Sequence, residues 1–326
     1  MAAQPVMVLG VSRSGTTLLK EMLDRHSELA IPTESYFIPQ LWDRHRGRAS
    51  EALIQDLGKI ARVREWGVTP DDVRRRAGPG ASFADVICAV YQHVAESRGK
   101  KRFGDKTPLY MQHLDLLERV FPGAQYVHII RDGRDAALSF VSMRRRPRFN
   151  WARPRGLYDF ACSWRQEIEG ARTFAATSVP GRYLEIRYED LVDDPETHLR
   201  AICSFLGLHF EPAMLEYHRM VDPARLEDHP RLAEPPKKNV RRWQKEMRPA
   251  DIEVFEAIAG KLLDALGYER AFPAPSASAR AKAATVEAAY RARLISWRGS
   301  VAVVRRSPAW RLRQMYIRRT AKVRPL

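Results

Sequence analysis

Cysteine is scarce in this chain of 326 residues, and its spacing excludes two kinds of site. Cys88, Cys162 and Cys203 lie far apart in the sequence. They form no CxxC pair and have no histidines at the spacing of metal ligands. We therefore expect three reduced cysteines in the core, which is typical of a cytosolic protein, and no metal site.

Long apolar runs are also missing. No stretch approaches the roughly 20 apolar residues that a membrane-spanning helix needs. The apolar run near the N-terminus, Val6 to Leu9, leads straight into a glycine-containing loop, which is not the pattern of a cleaved signal peptide. The apolar content of 45% is enough for a core. The length allows one large α/β domain, or one domain with an appendage.

Acidic residues are depleted in one part of the chain only. From Ala271 to the end there are 13 Lys and Arg but a single acid, Glu287. This segment carries +12 of the net charge of +16, so the rest of the chain is only mildly basic. Such a distribution does not indicate specific nucleic-acid binding by the whole protein.

The loop after the first apolar run lacks the lysine of nucleotide triphosphatases. Val6–Leu9 has the character of a buried parallel strand. Gly10 and Gly15 frame a turn, and a helix begins at Thr16, where free N–H groups suit a phosphate. A triphosphatase loop needs Lys directly after its second Gly, whereas Thr16 stands there and the cation is Arg13. The loop therefore predicts a site for a phosphate-type anion rather than for magnesium-bound ATP.

Further strand–turn–helix units follow along the chain. Apolar segments at 125–130 and 183–186, and a short strand at 102–104, each end at polar residues. This pattern predicts a P-loop-like α/β fold, with a parallel sheet covered by helices on both faces. Ligands of such sheets bind beyond the carboxyl ends of the strands, where these polar residues should gather.

The remaining segments suggest a cap and a tail. The pattern predicts helices over 36–45, 52–64, 71–76 and 83–96. The charged, mixed-face character of residues 44–76 predicts a surface cap. We expect one domain over 1–270, a low-complexity linker over 271–285 and a basic amphipathic tail over 286–326.

Several motifs together resemble those of sulfotransferases that use 3′-phosphoadenosine 5′-phosphosulfate (PAPS). They are SRSGTTLL, IIRDGRDAALSF, RYEDLVDDPE and Trp243 among basic residues, and they occur in the order typical of that family. The resemblance covers about residues 5–265. The variant EMLDRHSELAIPTESYFIP after the loop is similar to that of tyrosylprotein sulfotransferases and many bacterial homologues.

The resemblance implies catalytic roles for three residues. Sulfuryl transfer needs a base that faces the acceptor and cations at the oxygen where charge develops. Glu34 matches the general base, although it could instead cap a helix that begins near Ser35. Lys106 matches a lysine near the bridging oxygen, and Arg13 suits the phosphosulfate as a planar, charged donor.

The resemblance also implies a binding site for PAPS. The residues that it assigns to this site are Arg13, Ser14, Gly15, Thr16, Thr17, Arg131, Ser139, Tyr188 and Lys238. The loop residues would bind the 5′-phosphosulfate through N–H groups and hydroxyls, and Arg131 with Ser139 would grip the 3′-phosphate. Tyr188 would contact the adenine or a phosphate, or else belong to the core. Lys238 is chosen from a basic loop in which Arg241 replaces the usual Gly. His113 and His128 lie outside the family's histidine motif and are interpreted as structural.

The basic tail leaves three interpretations open. Tyr290, Leu294, Trp297 and Val301 recur at helical spacing among arginines. Such a helix could lie on an anionic membrane surface, which would place a cytoplasmic protein peripherally at the inner membrane. It could instead pack on the enzyme body or be disordered, or it could attract an acidic acceptor electrostatically.

The lead hypothesis is a metal-independent sulfotransferase that moves a sulfuryl group from PAPS to a hydroxyl or amine. The first competitor is a P-loop kinase or NTPase, which would require Mg²⁺ and ATP. The second is a non-catalytic nucleotide-binding or membrane-associated protein, in which replacing Glu34 would have no effect. The identity of the acceptor and the oligomeric state are not predicted.

Overall fold

A computed structural model describes residues 4–145, 154–221, 226, 230–236 and 242–306 of the chain. Side chains are described for all of these except 230, 231 and 297–306. Lys238 therefore lies outside the described residues.

Five parallel strands form one sheet. They are β1 (Val6–Leu9), β2 (Leu29–Ala30), β3 (Arg102–Asp105), β4 (Gln125–Ile130) and β5 (Tyr183–Arg187). Their order across the sheet is β2-β3-β1-β4-β5. The chain thus builds one side of the sheet from β1 and then crosses to the other side. Such a switch point opens a crevice at the carboxyl ends of the strands.

The register places the ends of β1 and β4 side by side. Val6 pairs with Gln125 and Leu9 with His128, all in parallel. The loop after β1 and the turn after β4 therefore begin at the same edge of the sheet. This juxtaposition positions the candidate site.

Helices connect and cover the strands. They are α1 (Thr16–Asp24), α2 (Ile38–His45), α3 (Glu51–Gly58), α4 (Ala61–Glu65), α5 (Pro70–Ala77), α6 (Phe83–Ser97), α7 (Leu114–Val120), α8 (Gly133–Arg144), α9 (Leu157–Ser178), α10 (Tyr188–Asp193), α11 (Pro195–Leu206), α12 (Trp243–Glu246), α13 (Pro249–Ala265) and α14 (Ala277–Arg306). Short 3-10 turns span Pro108–Gln112, Pro212–Met214, Tyr217–Met220 and Pro230–Ala233.

Both faces of the sheet are buried, as the sequence predicted. Met7 and Leu9 of β1 belong to one apolar cluster, which includes side chains of the cap and of α9 and α13. Val6 and Val8 belong to a second cluster, which includes side chains of α1 and α11. Alternate residues of a strand point to opposite faces, so these two clusters are the two layers that cover the sheet. The predicted α/β fold class is confirmed.

The helical cap consists of α2 to α6. The predicted single helix over 52–64 is two shorter helices, α3 and α4. Two helix starts have reciprocal capping boxes, in which Thr69 pairs with Asp72 and Ser82 with Asp85. Such caps satisfy free N–H groups at each helix start and fix where the helix begins.

The C-terminal helix starts earlier than the sequence suggested. α14 begins at Ala277 and so includes part of the segment interpreted as a linker. Its first turns pack on the body of the protein, because Ala279 and Ala283 are buried in the main core cluster. Glu287 accepts a hydrogen bond of 2.8 Å from Arg165 of α9. Small alanine side chains let this helix pack closely against the body of the protein. From composition alone, the same alanine-rich segment was interpreted as a low-complexity linker.

Two further observations concern the cysteines and the helices. The three cysteines are free, and burial raises the pKa of Cys88 to about 12 and the pKa values of Cys162 and Cys203 to about 11. Over the described residues, none of the helices combines the length and apolar character needed to cross a bilayer.

Candidate active site

The loop after β1 has the backbone of a tight turn. Arg13 and Gly15 both have positive φ angles, of 72° and 95°. The amide of Ser14 donates to the carbonyl of Val11 at 3.0 Å. Ser14 therefore uses its N–H inside the loop, which corrects the expectation that this amide binds the anion. The helix starts at Thr16 without a side-chain cap, so its first-turn amides are the available donors.

The ring of Tyr188 packs against this loop. A Cβ on Gly15 would overlap the ring of Tyr188, so the loop and the ring are in close contact only because position 15 has no side chain. The guanidinium of Arg131 lies over the same ring, 4.5 Å from its centre. Tyr188 is thus part of the site's packing and holds Arg131 at the end of β4.

Arg131 and Ser139 lie beside the loop, as predicted. The Nε of Arg13 donates to the Oγ of Ser139 at 3.1 Å, and an Nη of Arg131 donates to the Arg13 carbonyl at 3.3 Å. Arg131 is only 8% exposed. Within the described part of the chain, its Nε and the Ser14 hydroxyl are buried without a hydrogen-bond partner. Buried polar groups are normally satisfied, so these two groups are available to a bound ligand.

Glu34 and Lys106 meet at the opposite side of the loop. The Nζ of Lys106 contacts the Oε1 of Glu34 and donates to the Thr17 hydroxyl at 3.3 Å. The Lys106 side chain is 5% exposed and that of Glu34 is 25% exposed. The structure therefore links the predicted base and cation to the first turn of α1. The alternative of a helix cap is wrong, because α2 begins at Ile38 and its N-cap is Phe37.

A hydrogen-bond network fixes the segment that carries Glu34. The Ser35 amide donates to the Thr107 hydroxyl at 3.0 Å, and the hydroxyls of Ser35 and Tyr110 are 2.6 Å apart. The same Tyr110 oxygen accepts from the Ile38 amide at 3.3 Å. Thr107 and Tyr110, which follow Lys106, thus form hydrogen bonds with the segment that follows Glu34.

Sequence reasoning missed Asp105, which lies beneath this network. It ends β3 beside Lys106 and is 2% exposed. Its carboxylate accepts from the Tyr91 hydroxyl at 2.7 Å. Burial raises the pKa of Asp105 to about 6, although hydrogen bonds and Lys106 oppose that shift. Its position at the carboxyl end of a strand was the available signal.

The turn after β4 is held by a buried cation. The Arg134 guanidinium donates to both carboxylate oxygens of Asp132 at 3.0 and 2.8 Å, and to Glu256 at 2.5 Å. Its charge lies 3.6 Å from the centre of the Trp243 ring, and the Trp243 amide donates to Asp135 at 2.9 Å. Asp132 caps α8, and its side chain accepts a hydrogen bond from the Arg134 amide. The anchoring of Trp243 against this turn was not predicted.

The two histidines are placed differently from each other. His128 is buried within β4, where burial lowers its pKa to about 4 and the Tyr183 hydroxyl lies 2.5 Å from its Nδ1. His113 lies at the start of α7. His128 is therefore a core residue, in agreement with its structural interpretation.

The parallel sheet and the loop after β1 define a P-loop-like fold, in which Thr16 stands at the position of the triphosphatase lysine and Arg13 is the cation of the loop. A family model described as "Sulfotransferase family" matches residues 5–212, and the chain belongs to this family. The predicted membership of a sulfotransferase family is thereby confirmed.

Named relatives agree with this assignment. The chain is 28% identical to protein-tyrosine sulfotransferase 1 of Danio rerio over 225 residues, which are 67% of this chain and 57% of that protein. It is 27% identical to protein-tyrosine sulfotransferase 1 of Homo sapiens over 225 residues, which are 67% of this chain and 55% of that protein. The match thus spans just over half the length of these relatives.

Solved structures share the fold. The sulfotransferase domain of the Synechococcus PCC 7002 olefin synthase is 25% identical with a TM-score of 0.57, over 82% of this chain and 95% of that one. The sulfotransferase domain from the curacin biosynthetic pathway is 22% identical with a TM-score of 0.58, over 83% of this chain and all of that one. The second likeness supports the fold alone.

Proposed function

We propose that this protein transfers a sulfuryl group from PAPS to a hydroxyl or amine acceptor, with Glu34 as the general base. The proposal is carried by one observation: two pairs of side chains lie on opposite sides of the loop after β1. Arg131 and Ser139 lie on one side, and Glu34 and Lys106 on the other.

Each part of the donor has fitting partners. PAPS supplies the sulfuryl group and leaves as 3′,5′-adenosine bisphosphate. The amides of Gly15, Thr16 and Thr17 and the Arg13 side chain would hold its 5′ end, since helix N-termini and arginine forks suit such anions. Arg131 and Ser139 would hold the 3′-phosphate. The buried, unpartnered Nε of Arg131 fits that role.

The chemistry follows from where the acid and the cations lie. Glu34 would accept the proton that the acceptor hydroxyl or amine loses as its oxygen or nitrogen bonds to sulfur. Lys106 and Arg13 would stabilise the negative charge that develops on the phosphate oxygen as its bond to sulfur breaks. Lys106 contacts both Glu34 and Thr17, so one cation spans the acceptor and donor sides of the site.

Calorimetric binding of 3′,5′-adenosine bisphosphate and of 5′-AMP tests the donor assignment. We expect strong preference for the bisphosphate, and Arg131→Ala should remove most of that preference. Equal affinities of the wild-type protein for the two nucleotides would overturn the proposal. An activity that needs Mg²⁺ and ATP would instead restore the kinase alternative, which Thr16 disfavours. A Glu34 variant with full function would restore the non-catalytic one.

We further propose that the protein is cytoplasmic and that the basic segment after residue 293 contacts an anionic membrane surface. Ile295 is 72% exposed on α14, and the Arg291 side chain, one turn earlier, is 71% exposed. Exposed apolar and basic side chains on one helix suit such a surface. The test is flotation of the full chain with phosphatidylcholine vesicles, with and without phosphatidylserine. Arg305→Glu/Arg306→Glu should abolish recovery with the anionic vesicles, whereas Arg219→Glu on the body should not. Recovery independent of phosphatidylserine would contradict it.

A further inference from the structure

Two large apolar side chains are exposed next to the candidate catalytic pair. Among the described residues, those with large, exposed apolar side chains are Tyr36, Leu109, Met220 and Ile295. Tyr36 and Leu109 are each 42% exposed. Tyr36 follows Glu34 by two residues, and Leu109 follows Lys106 by three. Two of the four exposed residues therefore flank the groups proposed to act on the acceptor.

The two side chains extend from segments that are bonded to each other. The Ser35 amide and hydroxyl bond to Thr107 and Tyr110, which are two residues before and one residue after Leu109. The Glu34–Lys106 contact joins the same segments one residue earlier. Tyr36 and Leu109 thus belong to two segments that are joined by the same network that holds Glu34.

The backbone at Tyr36 is strained in a way that keeps the ring outside. Its φ is 57°, one of three positive values among the described non-glycine residues. Such a conformation costs on the order of 1–2 kcal/mol for an L-residue. Its neighbours Ser35 and Phe37 are 4% and 3% exposed, so the strained residue alone turns outward. Because 42% of the residue stays exposed, burial recovers only part of what a core tyrosine would gain, and the remaining cost points to a role at the surface.

We propose that Tyr36 and Leu109 bind an apolar body of the acceptor, an aryl or alkyl group attached to the hydroxyl or amine that is sulfated. This inference rests on the proposed function, since it takes Glu34 as the residue that faces the acceptor. Neither side chain is charged, so these two residues would not themselves form an ion pair with an acidic acceptor. An aromatic ring and a branched alkyl chain gain free energy by removing apolar area from water.

A homologous series of acceptors tests the proposal. Phenol, 4-ethylphenol and 4-butylphenol present closely similar nucleophiles with increasing apolar area. With PAPS as donor, kcat/KM should rise along the series by about threefold per added methylene. Tyr36→Ser and Leu109→Ser should each reduce the slope, that is, the rise of kcat/KM per added methylene, because KM should fall less along the series. The bisphosphate affinity should stay unchanged because neither residue lies at the loop. Met220→Ser removes an apolar side chain that is 68% exposed elsewhere on the protein and should leave the slope unchanged.

The outcomes separate this inference from the proposed function. A flat series in a protein that prefers the bisphosphate over 5′-AMP would overturn the apolar acceptor but not the PAPS assignment. Equal nucleotide affinities would overturn the PAPS assignment itself. If Tyr36→Ser instead changed the sedimentation coefficient without changing the slope, the surface would bind another copy of the chain, and the acceptor proposal would be wrong.

Discussion

The Nε of Arg13 and the Oγ of Ser139 are joined by a hydrogen bond of 3.1 Å, although 126 positions separate them. Ser139 lies on α8, and Arg13 lies in the loop after β1. A hydroxyl that accepts from a guanidinium still has its own hydrogen to donate. Ser139 can therefore orient Arg13 and bind a phosphate oxygen at the same time. The two proposed halves of the donor site are coupled through this one side chain.

Ser139→Ala should weaken binding of 3′,5′-adenosine bisphosphate by about tenfold, because a hydrogen bond to a charged group contributes about 1.5–3 kcal/mol. The affinity for 5′-AMP should change by less than about threefold. Calorimetry measures both. Ser142→Ala is a matched control on an exposed position of the same helix. An equal loss for the two nucleotides would show that Ser139 acts only through Arg13.

Glu34→Gln should lower kcat by about 10²–10⁴-fold, the usual contribution of a general base. Glutamine retains the shape of the side chain but cannot take up the acceptor's proton. Affinity for the bisphosphate should stay within about twofold. The measurement is the rate of bisphosphate release from PAPS with 4-ethylphenol. Glu65→Gln, at a carboxylate 56% exposed on the cap, should retain full activity. Full turnover by Glu34→Gln would refute its role as base.

Gly15→Ala should lower the free energy of unfolding more than the same change at Gly99. Both glycines have positive φ, 95° and 67°, but an added Cβ meets nothing within 4 Å at Gly99 and overlaps Tyr188 at Gly15. We expect about 1 kcal/mol for Gly99→Ala from the backbone and about 1–3 kcal/mol more for Gly15→Ala from overpacking. Denaturant unfolding measures both. Combining Gly15→Ala with Tyr188→Ala should cost less than the sum of the two. If the two losses in unfolding free energy were strictly additive, the Tyr188 ring would move aside for the added methyl group without cost, and the overpacking would be refuted.

Asp105→Asn should change how stability depends on pH. Burial raises the pKa of Asp105 from 3.8 to about 6 in the folded protein. Between these values the folded state holds a proton that the unfolded state has released. The contribution of Asp105 to stability therefore falls as pH rises from about 4 to 6, by about 3 kcal/mol.

Asparagine cannot ionise, and its carbonyl oxygen can still accept from Tyr91. Relative to the wild type, Asp105→Asn should thus gain up to about 3 kcal/mol between pH 4 and pH 7. Urea unfolding at the two pH values measures this difference. Asp71→Asn, at a side chain 83% exposed, should show little such change. An identical pH dependence in Asp105→Asn and wild type would contradict the raised pKa.

Local pattern was sufficient for the elements that position the site. The apolar run at Val6–Leu9 and the glycines around Arg13 predicted a strand, a turn and a helix start, because strand burial and turn geometry depend on neighbouring residues. Because no lysine follows Gly15, the sequence predicted that the loop would not bind magnesium-bound ATP. The motif that ends at Arg131 predicted the second side of the same site.

Local pattern failed where distant segments decide the outcome. Residues 277–285 are poor in complexity and resemble a linker, yet buried Ala279 and Ala283 make them part of a packed helix. Asp105 is one acid in a charged motif until burial against Tyr91 of the cap changes its pKa. Burial of this kind depends on partners far away in the sequence.

The sequence by itself determined the chemistry that this protein can carry: an anion-binding loop, an acid, a lysine and an arginine at strand ends. Only the tertiary structure decided that Arg13 bonds to Ser139, that Lys106 contacts Glu34 and that Tyr36 is held outward beside them. The reason is the strand order, since a parallel sheet with β1 between β3 and β4 brings together loops that no local pattern relates.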